Sequence, residues 1–218
     1  MKTKGFIFDL DGVIVDTAKY HFLAWKNLAN SLDFDFTETQ NEQLKGVSRV
    51  ESLKKILAWG NKTVSDAKFQ ELMTLKNTEY LEFIDNMDES EILPDVPKVL
   101  DYLIDENQGI ALGSASKNAR RILEKVHLLP KFQSIVDGND VSKAKPDPEV
   151  FLNAATALNI KPEDCVVFED SVAGVQAANT ANMISIGIGS QDVLYEADYV
   201  FKDFTEISTE FLNKIINN

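Results

Sequence analysis

Two carboxylates, Asp9 and Asp11, follow the apolar run Phe6-Ile7-Phe8, and Gly12 closes the stretch. The run has no polar alternation, which suits a strand buried on both faces, as in a parallel sheet. In open α/β sheets ligands gather just beyond the carboxyl ends of strands. An acidic pair held there is costly unless it is solvated, paired with cations or bound to metal. Asp9 and Asp11 are therefore read as a catalytic centre, against the plainer reading of a solvated turn.

Two further strand-like runs end in polar groups. Ile110–Gly113 leads into Ser114-Ala115-Ser116-Lys117-Asn118, and Cys165–Phe168 into Glu169-Asp170. If these strands flank the first, Asp9, Glu169 and Asp170 crowd together. A like-charge pair at about 4 Å costs roughly 4 kcal/mol at an effective dielectric near 20. The crowding predicts a bound cation. An all-oxygen ligand set favours Mg²⁺, a common companion of phosphate substrates. Taken singly, each group has a plainer reading. Ser114 and Ser116 read as N-caps of the next helix, where free N–H groups also suit phosphate. Glu169-Asp170 reads as a helix-capping pair, and Lys145, in Lys143-Ala144-Lys145-Pro146, as a solvated loop lysine. Their joint order along the chain is what points to a site.

The elements that must position these groups alternate. Thr17 is the expected N-cap of a helix carrying Tyr20, Leu23, Ala24 and Leu28 at helical spacing. Helices are expected at about 38–45, 49–58 and 65–86, the last capped by Ser65, with an apolar stripe of Phe69, Leu72, Met73, Tyr80, Phe83 and Ile84. No strand is expected between about 16 and 90, so this block reads as a helical insertion. From Ile92 the pattern changes. A helix is expected from Pro94 to about 106, a strand at 110–114, a helix from Lys117 and a short strand at 134–136. A helix at 148–158, a strand at 165–168, a helix at about 171–182, strands at 184–188 and 199–201, and a final helix follow. Alternating β and α elements imply a parallel sheet with right-handed crossovers. The expected division is residues 1–15 and 93–218 as an α/β core and 16–92 as the insertion, hinged at Val13–Thr17 and Asp88–Val96.

Composition narrows the partners. The 218 residues carry 22 Lys and Arg against 35 Asp and Glu, a net charge of −13. That makes nucleic acid or an anionic membrane a poor partner, while a local basic pocket remains open to an anionic substrate. The single cysteine, Cys165, forms no internal disulfide and fits a reducing cytoplasm. Asp9 and Asp11 interrupt any signal-peptide apolar region, and no segment approaches a membrane span.

The four groups in order resemble the haloacid dehalogenase superfamily of aspartate-dependent phosphoryl transferases. Asp9-Leu10-Asp11-Gly12 matches its nucleophile motif, Ser114 the second motif, Lys145 the third and Glu169-Asp170 the fourth, and the insertion matches the family's helical cap. The resemblance implies a Rossmann-like core with a parallel sheet plus a helical cap domain. Within the superfamily, Asp9–Ile14, Tyr20-His21-Phe22, Lys45–Arg49 and Ser114–Asn118 are similar to the branch that isomerises a glucose phosphate.

That resemblance implies roles. Asp9 attacks phosphorus and carries an aspartyl phosphate, and Asp11 is general acid and base. Mg²⁺ is held by the Asp9 carboxylate, the Asp11 carbonyl, Glu169 and Asp170. Lys145 neutralises the transferring group, whose oxygens Ser114 and the Ala115 N–H orient. Thr17 joins the catalytic set. Arg49 grips the distal phosphate with Ser116, Lys117 and Asn118, and Lys45, Gly46, Val47 and Ser48 present the loop to the sugar. His21 couples Asp11 and Lys45 to cap closure, and Trp25, Ser52 and Lys76 face the cleft. The Lys145-Pro146 bond is expected to be cis. From residue types alone, Lys45–Arg49 is a basic loop between helices, His21 a helix-surface histidine and Trp25 equally a packing residue. His127, Trp59 and Cys165 are assigned to packing or surface. The implied partners are β-glucose 1-phosphate, glucose 6-phosphate and β-glucose 1,6-bisphosphate, acting on a cytoplasmic monomer. The alternatives are a sugar-phosphate phosphatase on the same fold and a non-catalytic binding protein that keeps it.

Overall fold

A computed structural model describes residues 3–217. Its centre is a six-stranded parallel sheet. In chain order the strands are β1 (Gly5–Phe8), β2 (Gly109–Gly113), β3 (Ser134–Val136), β4 (Cys165–Glu169), β5 (Ile184–Ile188) and β6 (Tyr199–Phe201). Across the sheet they lie in the order β3-β2-β1-β4-β5-β6. The chain thus builds outward from β1 on one side, then returns to its other side. Such a reversal leaves a crevice at the carboxyl ends of the central strands. Register aligns those ends: Phe8 pairs with Leu112 on one side and with Phe168 on the other.

The central strands are buried on both faces, as the unbroken apolar runs require. Phe6 and Phe8 pack with Ile110, Leu112, Val166 and Phe168 beneath α5 (Val96–Asp105) and α9 (Thr209–Asn217). The Phe8 and Phe168 rings stack 4.6 Å apart. Ile7, Ala111 and Val167 face the other way, against α7 (Glu149–Leu158) and α8 (Val172–Thr180). Two helical layers therefore cover the sheet.

The insertion is helical: α1 (Ala18–Asn30), α2 (Glu38–Glu42), α3 (Arg49–Trp59) and α4 (Asp66–Asp85). It has its own apolar cluster, including Trp25, Leu28, Phe36, Leu53, Ile56 and Leu72. Ala24, Tyr80 and Ile84 instead join the cluster above the sheet. The two connections to the core run side by side. Asp16 N donates to Glu91 O at 2.9 Å, and Leu93 N to Ile14 O at 3.0 Å.

Several expected boundaries move for local reasons. α2 stops at Glu42, and the chain turns through Gly46 at φ +70°. The helix expected from Lys117 is α6 (Ala119–Lys125). Its delay comes from Ser114 and Ser116, whose hydroxyls accept N–H bonds from Ser116 at 3.1 Å and Asn118 at 3.3 Å. These side-chain turns hold the backbone out of a helix, so neither serine is the N-cap. Thr17 occupies the N-cap position of α1 but makes no capping bond. Ser171, not the Glu169-Asp170 pair, caps α8.

Candidate active site

The tips of β1, β2 and β4 meet at one amine. Lys145 comes from the loop between β3 and α7, and its Nζ donates to Asp9 Oδ1 at 2.7 Å, Glu169 Oε1 at 2.9 Å and the Gly113 carbonyl at 3.1 Å. The Lys145-Pro146 bond is cis. Burial disfavours the ammonium, but the Asp9 and Glu169 carboxylates outweigh it and raise the Lys145 pKa.

One cation does not balance the acids beside it. Carboxylate oxygens of Asp9, Glu169 and Asp170 all lie within 4.8 Å of one another. Burial pushes Asp9 up to about 7, with Glu169 and Asp11 adding to the rise and Lys145 opposing it. Asp170 is raised well above the usual carboxylate range by burial and by Glu169, with Lys45 Nζ 3.6 Å away opposing. Three hard oxygen donors with surplus negative charge fit a divalent metal ion of the magnesium type. Glu169 is held firmly: Oε1 accepts from Lys145 and from Ser171 Oγ at 3.1 Å, and Oε2 from the Asp170 and Ser171 N–H groups at 2.7 and 3.2 Å. Glycine is required beside this trio. At Gly12, φ is +80° and a Cβ would strike the Asp170 carboxylate. At Gly174 it would overlap Glu169.

Asp11 belongs to a separate network. The Thr17 hydroxyl donates to its Oδ1, which explains the missing helix cap. His21 Nε2 lies 3.7 Å from the same oxygen, and His21 Nδ1 is 2.8 Å from Lys76 Nζ. Burial would raise Asp11, but His21 and Thr17 outweigh it and hold the carboxyl below its ordinary value. His21 itself is lowered by burial and by Lys76, with Asp11 opposing. Lys76 is buried, and burial with the nearby Arg49 charge takes its pKa well down. The Tyr80 ring lies 4.2 Å from the His21 ring and 4.3 Å from Lys76 Nζ, which also sits 4.9 Å from the Trp25 ring.

Most of these groups edge one cleft of about 460 Å³ between the sheet tips and the helical block. Asp9, Asp11, His21, Trp25, the Lys45–Arg49 loop, Ser52, Lys76, the Ser114–Asn118 loop, Lys145 and Asp170 line it. Thr17 and Glu169 stand behind, bonded to Asp11 and Lys145. Among the described residues no carboxylate lies within 4.0 Å of Arg49 or Lys117, so both cations are left for an anion. Of the residues set aside, Cys165 is fully buried, Trp59 packs on the cap cluster and His127 is exposed.

Sequence reasoning does not reveal one cleft-lining group, Tyr80, or one residue bonded to the cleft loop, Asn77. Tyr80 falls in the apolar stripe of α4, yet it lines the cleft; among the described residues its buried hydroxyl makes no hydrogen bond of good geometry, with the Thr17 hydroxyl its nearby polar neighbour. Asn77, its neighbour on α4, accepts from Asn118 Nδ2 at 3.1 Å. Nothing in the sequence pairs residues 41 positions apart.

An aspartate tip braced by a buried lysine, beside an acidic trio at the carboxyl ends of a parallel sheet and under a helical insertion, is a setting suited to phosphoryl transfer. A family profile of haloacid dehalogenase-like hydrolases matches residues 3–182, and the chain belongs to that family. Within it, the chain is 42% identical over 213 residues to beta-phosphoglucomutase of Bacillus subtilis, covering 97% of this chain and 94% of the relative. The crystal structure of beta-phosphoglucomutase from Clostridium difficile superposes with a TM-score of 0.95 at 39% identity, over 99% of this chain and 98% of that one. A phosphorylated carbohydrates phosphatase of Thermotoga maritima is 31% identical over 182 residues, 81% of each chain.

Proposed function

We propose that this enzyme is a phosphomutase that interconverts β-D-glucose 1-phosphate and D-glucose 6-phosphate through an aspartyl phosphate on Asp9 and β-D-glucose 1,6-bisphosphate. The observation that carries the reading is one cleft furnished for two phosphates. Asp9 and Lys145 serve the transferring group, and the unpaired Arg49 and Lys117 serve the other. The 42% identity to a beta-phosphoglucomutase supports the isomerase over a hydrolase.

Asp9 attacks phosphorus while Lys145 offsets charge on the phosphoryl oxygens, which Ser114 and the Ala115 N–H orient. The bond from phosphorus to the donor oxygen breaks, and Asp9 carries the group. Asp11, anionic in its present setting, takes the proton of the sugar hydroxyl as that oxygen attacks the aspartyl phosphate. The bisphosphate then reorients, and the reverse sequence transfers its other phosphate to Asp9. The Asp9 carboxylate, the Asp11 carbonyl, Glu169 and Asp170 would hold Mg²⁺, which when bound supplies positive charge against the transferring group. Residues 16–92 form the cap and residues 1–15 and 93–218 the core. Cap closure excludes water from the aspartyl phosphate. His21 ties Asp11 to the cap through Lys76, and the Lys45–Arg49 loop contacts the sugar. The working unit is a monomer in the cytoplasm, where the lone Cys165 stays reduced.

Phosphorus NMR tests this reading. Protein with Mg²⁺, β-glucose 1-phosphate and a trace of the bisphosphate should convert the 1-phosphate signal into that of glucose 6-phosphate. Stoichiometric inorganic phosphate would instead assign a phosphatase. No Mg²⁺-dependent turnover of any sugar phosphate would assign a binding protein.

A further inference from the structure

We propose that Asn77 is a positioning residue for the distal phosphate, acting through Asn118 when cap and core are together. The inference rests on the distal-phosphate reading of Ser116–Asn118 given above. Asn77 projects from α4 of the cap, one residue from the cleft-lining Lys76, and Asn118 belongs to the core loop that leads into α6. Asn118 Nδ2 donates to Asn77 Oδ1 at 3.1 Å. The bond therefore ties the two segments at the wall of the cleft itself. A second tie joins the same helices about two turns further along α4. There Arg121 pairs with Asp85, and Lys125 Nζ donates to the Asp85 carbonyl at 2.8 Å. That tie lies away from the cleft and brings the two helices into reach of each other.

The chemistry of a carboxamide gives the contact its consequence. Asn carries two N–H donors on one atom and an acceptor on the other. A phosphate oxygen accepts and does not donate, so only the nitrogen of Asn118 serves it. The backbone of this loop is already fixed by the Ser114 and Ser116 hydroxyls. The remaining freedom is the flip of the Asn118 amide. Asn77 Oδ1 takes one N–H and holds the nitrogen at this edge, leaving the second N–H for the phosphate. Without Asn77, the amide samples the orientation that turns its oxygen toward the anion.

A double-mutant cycle on the full-length enzyme with Mg²⁺ tests the coupling. The readouts are KM and kcat for β-glucose 1-phosphate. Asn118→Ala should raise KM. Asn77→Ala should raise KM by about 3- to 10-fold, the range of one net neutral hydrogen bond, and by more than it lowers kcat. The double variant should match Asn118→Ala within about twofold. Asn77→Asp keeps the size and the acceptor and forbids the reversed amide. It should recover most of the loss at about 0.2 M salt, where its added charge is screened, and it remains informative if the alanine variant does not fold. Effects of Asn77→Ala and Asn118→Ala that multiply would overturn the proposal. So would a wild-type KM for Asn77→Ala beside a raised one for Asn118→Ala. A wild-type KM for Asn118→Ala would instead remove the distal-phosphate reading and this inference with it.

Discussion

Lys145 Nζ stands 2.7 Å from Asp9 Oδ1 and 2.9 Å from Glu169 Oε1, one ammonium between two buried carboxylates, while Asp170 has the more distant Lys45 at 3.6 Å. The site is built with more negative charge than its own cations answer, and that sets a pH dependence. Asp9 rises from 3.8 to about 7, first through burial and then through its acidic neighbours. Between those values the folded state binds the proton and the unfolded state has released it. Stability from this group is thus complete below about pH 4 and is lost as pH rises through about 7. Raising of Asp170 acts in the same direction. Lys76 and His21, both lowered, act the other way, so the contribution of Asp9 is read as a difference: as pH falls from about 8 to about 6, the thermal midpoint of metal-free protein should gain relative to that of Asp9→Asn. On the proposal that Mg²⁺ binds the ionised trio, saturating Mg²⁺ should raise the midpoint more at the higher pH. A larger Mg²⁺ effect at the lower pH contradicts the assignment.

Asp9→Asn separates chemistry from stability. It removes the proposed nucleophile, so turnover of β-glucose 1-phosphate should fall by more than about a thousandfold, in line with loss of a covalent catalyst. It also removes one buried charge from an over-negative cluster. The metal-free variant should therefore melt no lower than the parent near pH 8, as read by circular dichroism. Undiminished turnover, measured by phosphorus NMR, would refute the role of Asp9.

Arg49 lines the cleft with no carboxylate partner among the described residues and carries a pKa lowered by burial. An unanswered, partly desolvated guanidinium suits a bidentate phosphate contact. A hydrogen bond to a charged group is worth about 1.5–3 kcal/mol, so Arg49→Ala should weaken bisphosphate binding by roughly 10- to 150-fold in a titration. Phosphorylation of Asp9 by acetyl phosphate, which has no distal phosphate, should suffer much less. Arg49→Lys should recover only part, because the fork geometry is lost. Equal losses for both substrates would count against the distal role.

Much of the architecture is legible in the sequence because its causes are local. The unbroken run at Phe6–Phe8 demanded burial on both faces, and the alternation of strands and helices demanded parallel neighbours. Those two facts bring Asp9, Ser114 and Glu169 to adjacent tips in the order β2-β1-β4. What sequence did not reveal depends on side-chain atoms choosing among partners. Thr17 sits where an N-cap belongs, but its hydroxyl goes to Asp11. Ser114 and Ser116 have the composition of caps but bond within their own loop. The role of Asn77 needs a partner on another element. Tyr80 falls in the same class: helical spacing says that it is buried, not that its hydroxyl borders a cavity.

That hydroxyl supports a last prediction. Tyr80 is 1% exposed, and burial and Asp11 push its pKa well above the ordinary phenol value. The ring packs on His21 and under Lys76, while among the described residues the hydroxyl has no bond partner of good geometry; the nearby Thr17 hydroxyl opposes the rise in pKa but gives its own proton to Asp11. Leaving a buried hydroxyl unsatisfied costs about 1–3 kcal/mol. Phenylalanine keeps the ring contacts and removes the unpaired group. Tyr80→Phe should therefore stabilise the ligand-free protein by about 1 kcal/mol, seen as a higher urea midpoint at an unchanged slope. Tyr80→Ala loses the ring as well and should cost about 3–5 kcal/mol by analogy with other buried aromatics. Comparing the two isolates the hydroxyl. If Tyr80→Phe is less stable than the parent by more than about 1 kcal/mol, the hydroxyl does have a partner in solution, and the ring stack on His21 is not its main contribution.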